Sequence, residues 1–97
     1  MVSGTLDWGI KLGRPAQVKH IEGTVDTTAT MVSFNVTSDT ILIVNESIDK
    51  TLYVSFDDGV TWKALAPKGA LAVEVARSHV HLMGSDTNTE YHILVVY

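Results

Sequence analysis

The chain has no cysteine, which removes disulfide scaffolds, thiolate metal sites and cysteine nucleophiles together. Small secreted domains commonly use disulfides to compensate for a small core, so the same absence favours assembly inside a cell. Basic residues are few: seven Lys and Arg against eleven Asp and Glu, a net charge of −4. They are scattered from Lys11 to Arg77, whereas phosphate contacts need clustered cations, so no nucleic-acid partner is expected. No apolar run approaches the roughly 20 residues that cross a bilayer, and no membrane partner is expected. The opening MVSGTLDWGIKLGRP lacks a basic stretch followed by an apolar one and does not read as a secretion signal. The sequons at Asn35 and Asn45 are accordingly read as accidental.

What is present is a globular composition, 45% apolar and 19% charged over 97 residues, sufficient for one domain with one core. Period-2 alternation dominates after residue 28. Val32, Phe34 and Val36 share a face, as do Leu52, Val54 and Phe56, then Val60, Trp62 and Ala64, then Leu71, Val73 and Val75, then Val80 and Leu82. Two runs, TILIVN and EYHILVVY, are apolar on both faces, as expected of strands at the centre of a sandwich. Turn signals (TSDT, NESIDK, DDG, APKG, ARS, GSDTNT) separate the runs at short intervals, and no segment has sustained helical periodicity. The expected fold is all-β: a single small antiparallel β-sandwich, jelly-roll-like or immunoglobulin-like. About seven strands fit over residues 29–97, and QVKHIE is a candidate eighth.

Residues 1–28 read differently. Glycines at 4, 9, 13 and 23 and Pro15 punctuate them, and Leu6, Trp8, Ile10 and Leu12 alternate between polar or small neighbours. This segment is expected to be an extended N-terminal element, either an edge strand of the home domain or an interaction arm. A Trp on a Gly-rich segment needs burial on one partner or the other.

The most pattern-like stretch is SFDDGVTW, residues 55–62, which matches S-x-D-x-G-x-T-W at every fixed position. It resembles the Asp-box of sialidases and other propeller-shaped glycan-processing proteins. Each residue has a structural task in a hairpin. Asp57 and Asp58 form the bend and an Asp carboxylate accepts hydrogen bonds from turn amides. Gly59 supplies a positive φ without a Cβ clash, and Trp62 packs on the returning strand. Ser55 and Thr61 complete the match. One copy cannot build a propeller, and two arginines, Arg14 and Arg77, are too few for the carboxylate-binding cluster that a sialidase-like site implies. The motif specifies a hairpin.

His79 and His81, in HVH, fall on one face of a strand, and His92 lies on the following run. A cupin-like metal enzyme built on these three is the least favoured reading. The resemblance to a cupin motif fails at the Glu four or five residues beyond the pair, where this chain has Ser85 and Asp86. The preferred reading is two surface histidines opposite core residues Val80 and Leu82. No nucleophile elbow, phosphate-binding loop or dinucleotide fingerprint is present. No catalytic residue, cofactor or metal ligand is therefore assigned, and no enzymatic activity is expected.

Over residues 41–97 the layout consists of an I-x-N-x-S strand, the SFDDG hairpin, a W-x-x-L-x-P-x-G strand end and a further apolar strand. It resembles small structural proteins of tailed bacteriophages, especially β-sandwich capsid decoration (cement) proteins. The resemblance implies a homo-oligomeric protein on the outer capsid surface of the virion, assembled in the host cytoplasm, whose partner is the major capsid protein or another virion protein. Alternatives are a tail or head–tail junction component, and a carbohydrate-binding module using Trp8, Tyr53 or Trp62 as a stacking platform.

Overall fold

The computed structural model describes residues 16–97. Within them lie eight strands and no helix: β1 (Val18–Val25), β2 (Thr30–Ser33), β3 (Thr40–Asn45), β4 (Leu52–Ser55), β5 (Lys63–Leu65), β6 (Ala70–Val73), β7 (His79–Gly84) and β8 (Thr89–Val96). They form two four-stranded sheets, sheet A in the order β1-β8-β3-β6 and sheet B in the order β2-β7-β4-β5. All pairings are antiparallel. This interleaved order is that of an eight-stranded jelly roll, two Greek keys folded into a sandwich, which decides between the two expected topologies.

The connections follow from that order. Every successive pair of strands crosses from one sheet to the other except β4 and β5, which pair with each other in register Leu52↔Leu65. Among the described residues, the one hairpin within a sheet is therefore the turn carried by SFDDGVTW. The sandwich also begins earlier than residue 29: β1 is the edge strand of sheet A, paired along its length with β8. Backbone bonds between Gln17 and Tyr97, each 2.9 Å, extend that ladder. Of the expected N-terminal segment, residues 16–28 thus belong to the home domain, whereas Leu6, Trp8, Ile10 and Leu12 lie outside the described residues.

The core is supplied by alternate residues. Ile41, Ile43, Ile93 and Val95 from sheet A meet Leu52, Val54, Val80 and Leu82 from sheet B, with Phe34 sealed between them, all at most 1% exposed. Each such side chain contributes roughly 1.5–3 kcal/mol relative to exposure. One expected phase is reversed. Residues 56–62 are consumed by the hairpin turn, so β5 starts only at Lys63 and Leu65 is its core residue. Val60, expected inward, is 78% exposed, and Trp62 is half-buried.

A buried polar knot closes one end of the sandwich. Asn45 is fully buried; its Nδ2 donates to the carbonyls of Lys50 (2.7 Å), Leu65 (3.0 Å) and Ala66 (3.2 Å). Its Oδ1 accepts from the amide of Ser47 at 3.0 Å, and Ser47 Oγ in turn accepts from the amide of Glu90 at 2.9 Å. The Asn-x-Ser pair therefore ties the β3–β4 and β5–β6 loops to the start of β8. Asn45, engaged through Nδ2, is no surface acceptor for a glycan. An Asn45→Ala variant removes the side-chain partner of three carbonyls and one amide, of which the Ala66 carbonyl keeps the Gly69 amide, and is expected to lose about 1–3 kcal/mol of unfolding free energy, read by urea denaturation. Unchanged stability would show that the loops hold without it.

Candidate functional site

The Asp-box turn is clamped by its own side chains. Ser55, buried at the end of β4, donates through Oγ to Asp57 Oδ1 at 2.7 Å and accepts from the amide of Gly59 at 2.8 Å. Asp57 also accepts from the amide of Thr61 at 2.9 Å and from its hydroxyl at 2.5 Å. These bonds favour the charged carboxylate and lower the Asp57 pKa from 3.8 to about 2, with the Thr61 hydroxyl as the largest cause. Gly59 has φ +87°, with the Trp62 indole above it, 3.7 Å from where a Cβ would stand.

Asp58 also adopts a left-handed conformation, φ 60°. For a non-glycine residue this region is sparsely populated, although Asp tolerates it. The carboxylate of Asp58 reaches over β7. Its Oδ1 lies 2.7 Å from His79 Nε2, 3.0 Å from an Arg77 terminal nitrogen and 3.8 Å from His81 Nδ1. His79 and His81 share the outer face of β7 by strand alternation, and their rings meet edge to face at 5.7 Å. The hydrogen bond from His79, and then the Arg77 charge, holds the Asp58 carboxyl below its ordinary range. His81 Nδ1 and Arg77 Nε are buried without a hydrogen bond. In this arrangement His79 Nε2 carries its proton and donates to Asp58. The Arg77 nitrogen 3.1 Å from that same Nε2 is then a second donor facing a donor, and its hydrogen bond goes to the carboxylate.

The three histidines considered as one metal set are divided. His79 and His81 stand on the outer face of sheet B, and His92 on the outer face of sheet A, with the whole core between them. Asp58 takes the third place. Nothing in the sequence identified it or Arg77 as partners of the histidines, because only the pairing of β4 with β7 brings the hairpin to that strand.

The outer face of sheet A has a different character. On the central strands, Leu42 and Val44 of β3 and Leu94 and Val96 of β8 point away from the core, with Leu42 directly opposite Leu94. Val18, 54% exposed, extends the row beside Val96. His20 and His92 flank it, joined Nδ1 to Nε2 at 2.8 Å, and a cleft of about 200 Å³ opens among His20, Leu42, Val44, Glu46, His92 and Leu94. His92 Nδ1 faces Glu22 and Glu46 at 3.7 and 3.8 Å. An adjoining hollow of about 400 Å³ is lined by Glu22, Glu46 and Glu90 together with Gly23, Thr24 and Tyr91. The sheet thus presents an apolar stripe with an acidic end. Of the aromatic residues considered as a sugar platform, Tyr53 is half-buried on β4 between Ala64 and Met83 by register, Trp62 is committed to the hairpin, and Trp8 lies outside the described residues.

The Asp57 clamp has a pH signature. The folded pKa lies below the unfolded value, so its stabilisation is complete above about pH 4 and disappears as pH falls towards 2. Acid unfolding of Asp57→Asn is expected to show a shallower loss of stability across that window than the parent chain. Identical pH slopes would show that the clamp adds nothing to stability.

No protein family and no curated protein matches this sequence. Among solved structures, a chain from work reporting that Bacillus endospore appendages form a novel family of disulfide-linked pili superposes with a TM-score of 0.50. The match covers 96% of this chain and 97% of that one at 17% identity. At that identity the likeness is one of fold.

Proposed function

We propose that this chain is a non-enzymatic structural protein that binds a repeating protein surface, most specifically a capsid decoration protein on the outer head shell of a bacteriophage. The observation that supports this is the outer face of sheet A. An antiparallel sheet with one face on a core normally turns polar residues to water on the other. Here the central strands carry Leu42, Val44, Leu94 and Val96 on the outward face, and Val18 lengthens the row. A contiguous apolar stripe with a polar rim is the surface character of a protein contact. The rim is acidic at the Glu22–Glu46–Glu90 end, so the partner surface should be apolar with a basic margin.

A rigid sandwich suits such a role, and joining copies as a homo-oligomer would make modest individual contacts add up through multivalency. A pilus chain that shares the fold is a second case of a small β-protein in a repetitive assembly. If this chain formed a filament instead, contacts would have to replace disulfides, because it has no cysteine.

On this reading the chain is phage-encoded, and the test uses expanded capsids of that phage. Purified protein is expected to co-sediment with them at saturating stoichiometry and to raise their resistance to heat and osmotic shock. Leu94→Glu, which places a charge in the middle of the stripe without touching the core, is expected to abolish both effects while the chain stays folded by circular dichroism. Absence of capsid binding by the parent chain would overturn the decoration role. Full binding by Leu94→Glu would remove this face from it.

A further inference from the structure

Asp58, His79 and His81 offer three ligand atoms, one carboxylate oxygen and two imidazole nitrogens, all within 4.8 Å of one another. We propose that they form a binding site for a divalent first-row transition metal, with Arg77 as the built-in competitor for the cation position.

The donor set is chemically apt. Two imidazoles and one carboxylate suit zinc, cobalt, nickel or copper, and three protein ligands leave a position for water or for a donor from a neighbour. Ligand atoms on a tetrahedral zinc ion stand about 3.3–3.6 Å apart, given metal–ligand bonds of about 2.0–2.2 Å. The pairs here, 2.7 Å from His79 to Asp58 and 3.8 Å from His81 to Asp58, bracket that spacing. The scaffold is fixed on both sides. His79 and His81 lie two residues apart on a central strand of sheet B, and Asp58 rides on a turn locked by Ser55, Asp57 and Thr61.

Two polar atoms support a cation at this point. His81 Nδ1 is buried, faces the carboxylate and makes no hydrogen bond, although a buried polar atom ordinarily finds a partner. The Arg77 guanidinium reaches into the same space, with one nitrogen 3.0 Å from Asp58 Oδ1 and 3.1 Å from His79 Nε2. Positive charge therefore already occupies the position that a metal would take. Metal entry releases the Nε2 proton of His79 to solvent, frees Asp58 Oδ1 from Arg77, and gives His81 Nδ1 its partner. The site would fasten the β4–β5 hairpin to β7. It lies on the opposite sheet from the stripe proposed as the assembly face and does not depend on that proposal.

The test is titration of the untagged chain with Co²⁺ and Zn²⁺ at pH 7.5, followed by calorimetry and by the visible absorption of bound cobalt. One Co²⁺ per chain is expected, displaced by Zn²⁺, with a metal-dependent rise in Tm. Asp58→Asn, which keeps a residue tolerant of φ 60°, and His81→Ala are each expected to weaken binding at least about tenfold, since loss of even an outer partner costs 10–100-fold. Arg77→Gln is expected to tighten it. His92→Ala, on the other sheet, should leave it unchanged. Lack of stoichiometric binding by both the parent chain and Arg77→Gln overturns the proposal. So does binding that is undiminished in His81→Ala or lost in His92→Ala.

Discussion

The antiparallel pairing of β3 with β8 at the centre of sheet A is the constraint on which the rest of the molecule depends. Alternation along these two strands sends Ile41, Ile43, Ile93 and Val95 into the core, where all four are fully buried. The same alternation, in the same register, sends Leu42, Val44, Leu94 and Val96 outward. A slip of one residue would exchange the two sets, yet both are apolar. Hydrophobicity alone therefore does not fix the register, and polar groups at the strand ends must contribute. Asn45 and Ser47 do so by bonding the loops and the start of β8 at one end, while the amide of Asp39 bonds the carbonyl of Val96 at the other. The stripe on the surface and the knot beside it are linked consequences of building the central strands from apolar residues on both faces.

The second organising element is the β4–β5 hairpin. Among the described residues every other connection crosses between sheets, so it alone must reverse the chain within one sheet. Its two aspartates divide the work. Asp57 turns inward on Ser55 and Thr61 and holds the bend, and Asp58, in a left-handed conformation, is left free to reach His79 and Arg77. A motif suggestive of glycan chemistry thus serves here as a rigid mount for one carboxylate above a pair of imidazoles.

Much of the fold was legible because period-2 alternation and turn residues are local signals. The strand runs beginning at Met31, Ile41, Leu52, Leu71, Val80 and Tyr91 were visible from their spacing, as was the hairpin at residues 55–62. The β5 phase is not legible locally, because the turn at DDG extends to Trp62 and shifts the strand by several residues. The choice between jelly roll and immunoglobulin order was not available, since strand order depends on contacts far apart in sequence. The same limit hid the Asp58–His79–His81 cluster: Asp58 and His79 are 21 positions apart, and only the placement of β4 beside β7 joins them. His92, nearer to His81 in sequence, is carried to the opposite face by the β7–β8 crossover. The apolar character of both faces of TILIVN and EYHILVVY was plain in the sequence. What was not plain is that the outer face stays uncovered by the other described residues of the chain.

The outer face of sheet A is the centre of the proposed function, and side-chain footprinting reads it directly. Hydroxyl-radical labelling of the free chain and of the chain bound to the proposed capsid partner would report the solvent access of Leu42, Leu94 and Val96 on sheet A, with Met31, 57% exposed on sheet B, as the internal reference. With sheet A as the binding face, the three sheet A residues are expected to lose label several-fold on binding while Met31 keeps its own. Protection of Met31 with undiminished labelling of Leu42, Leu94 and Val96 would contradict it.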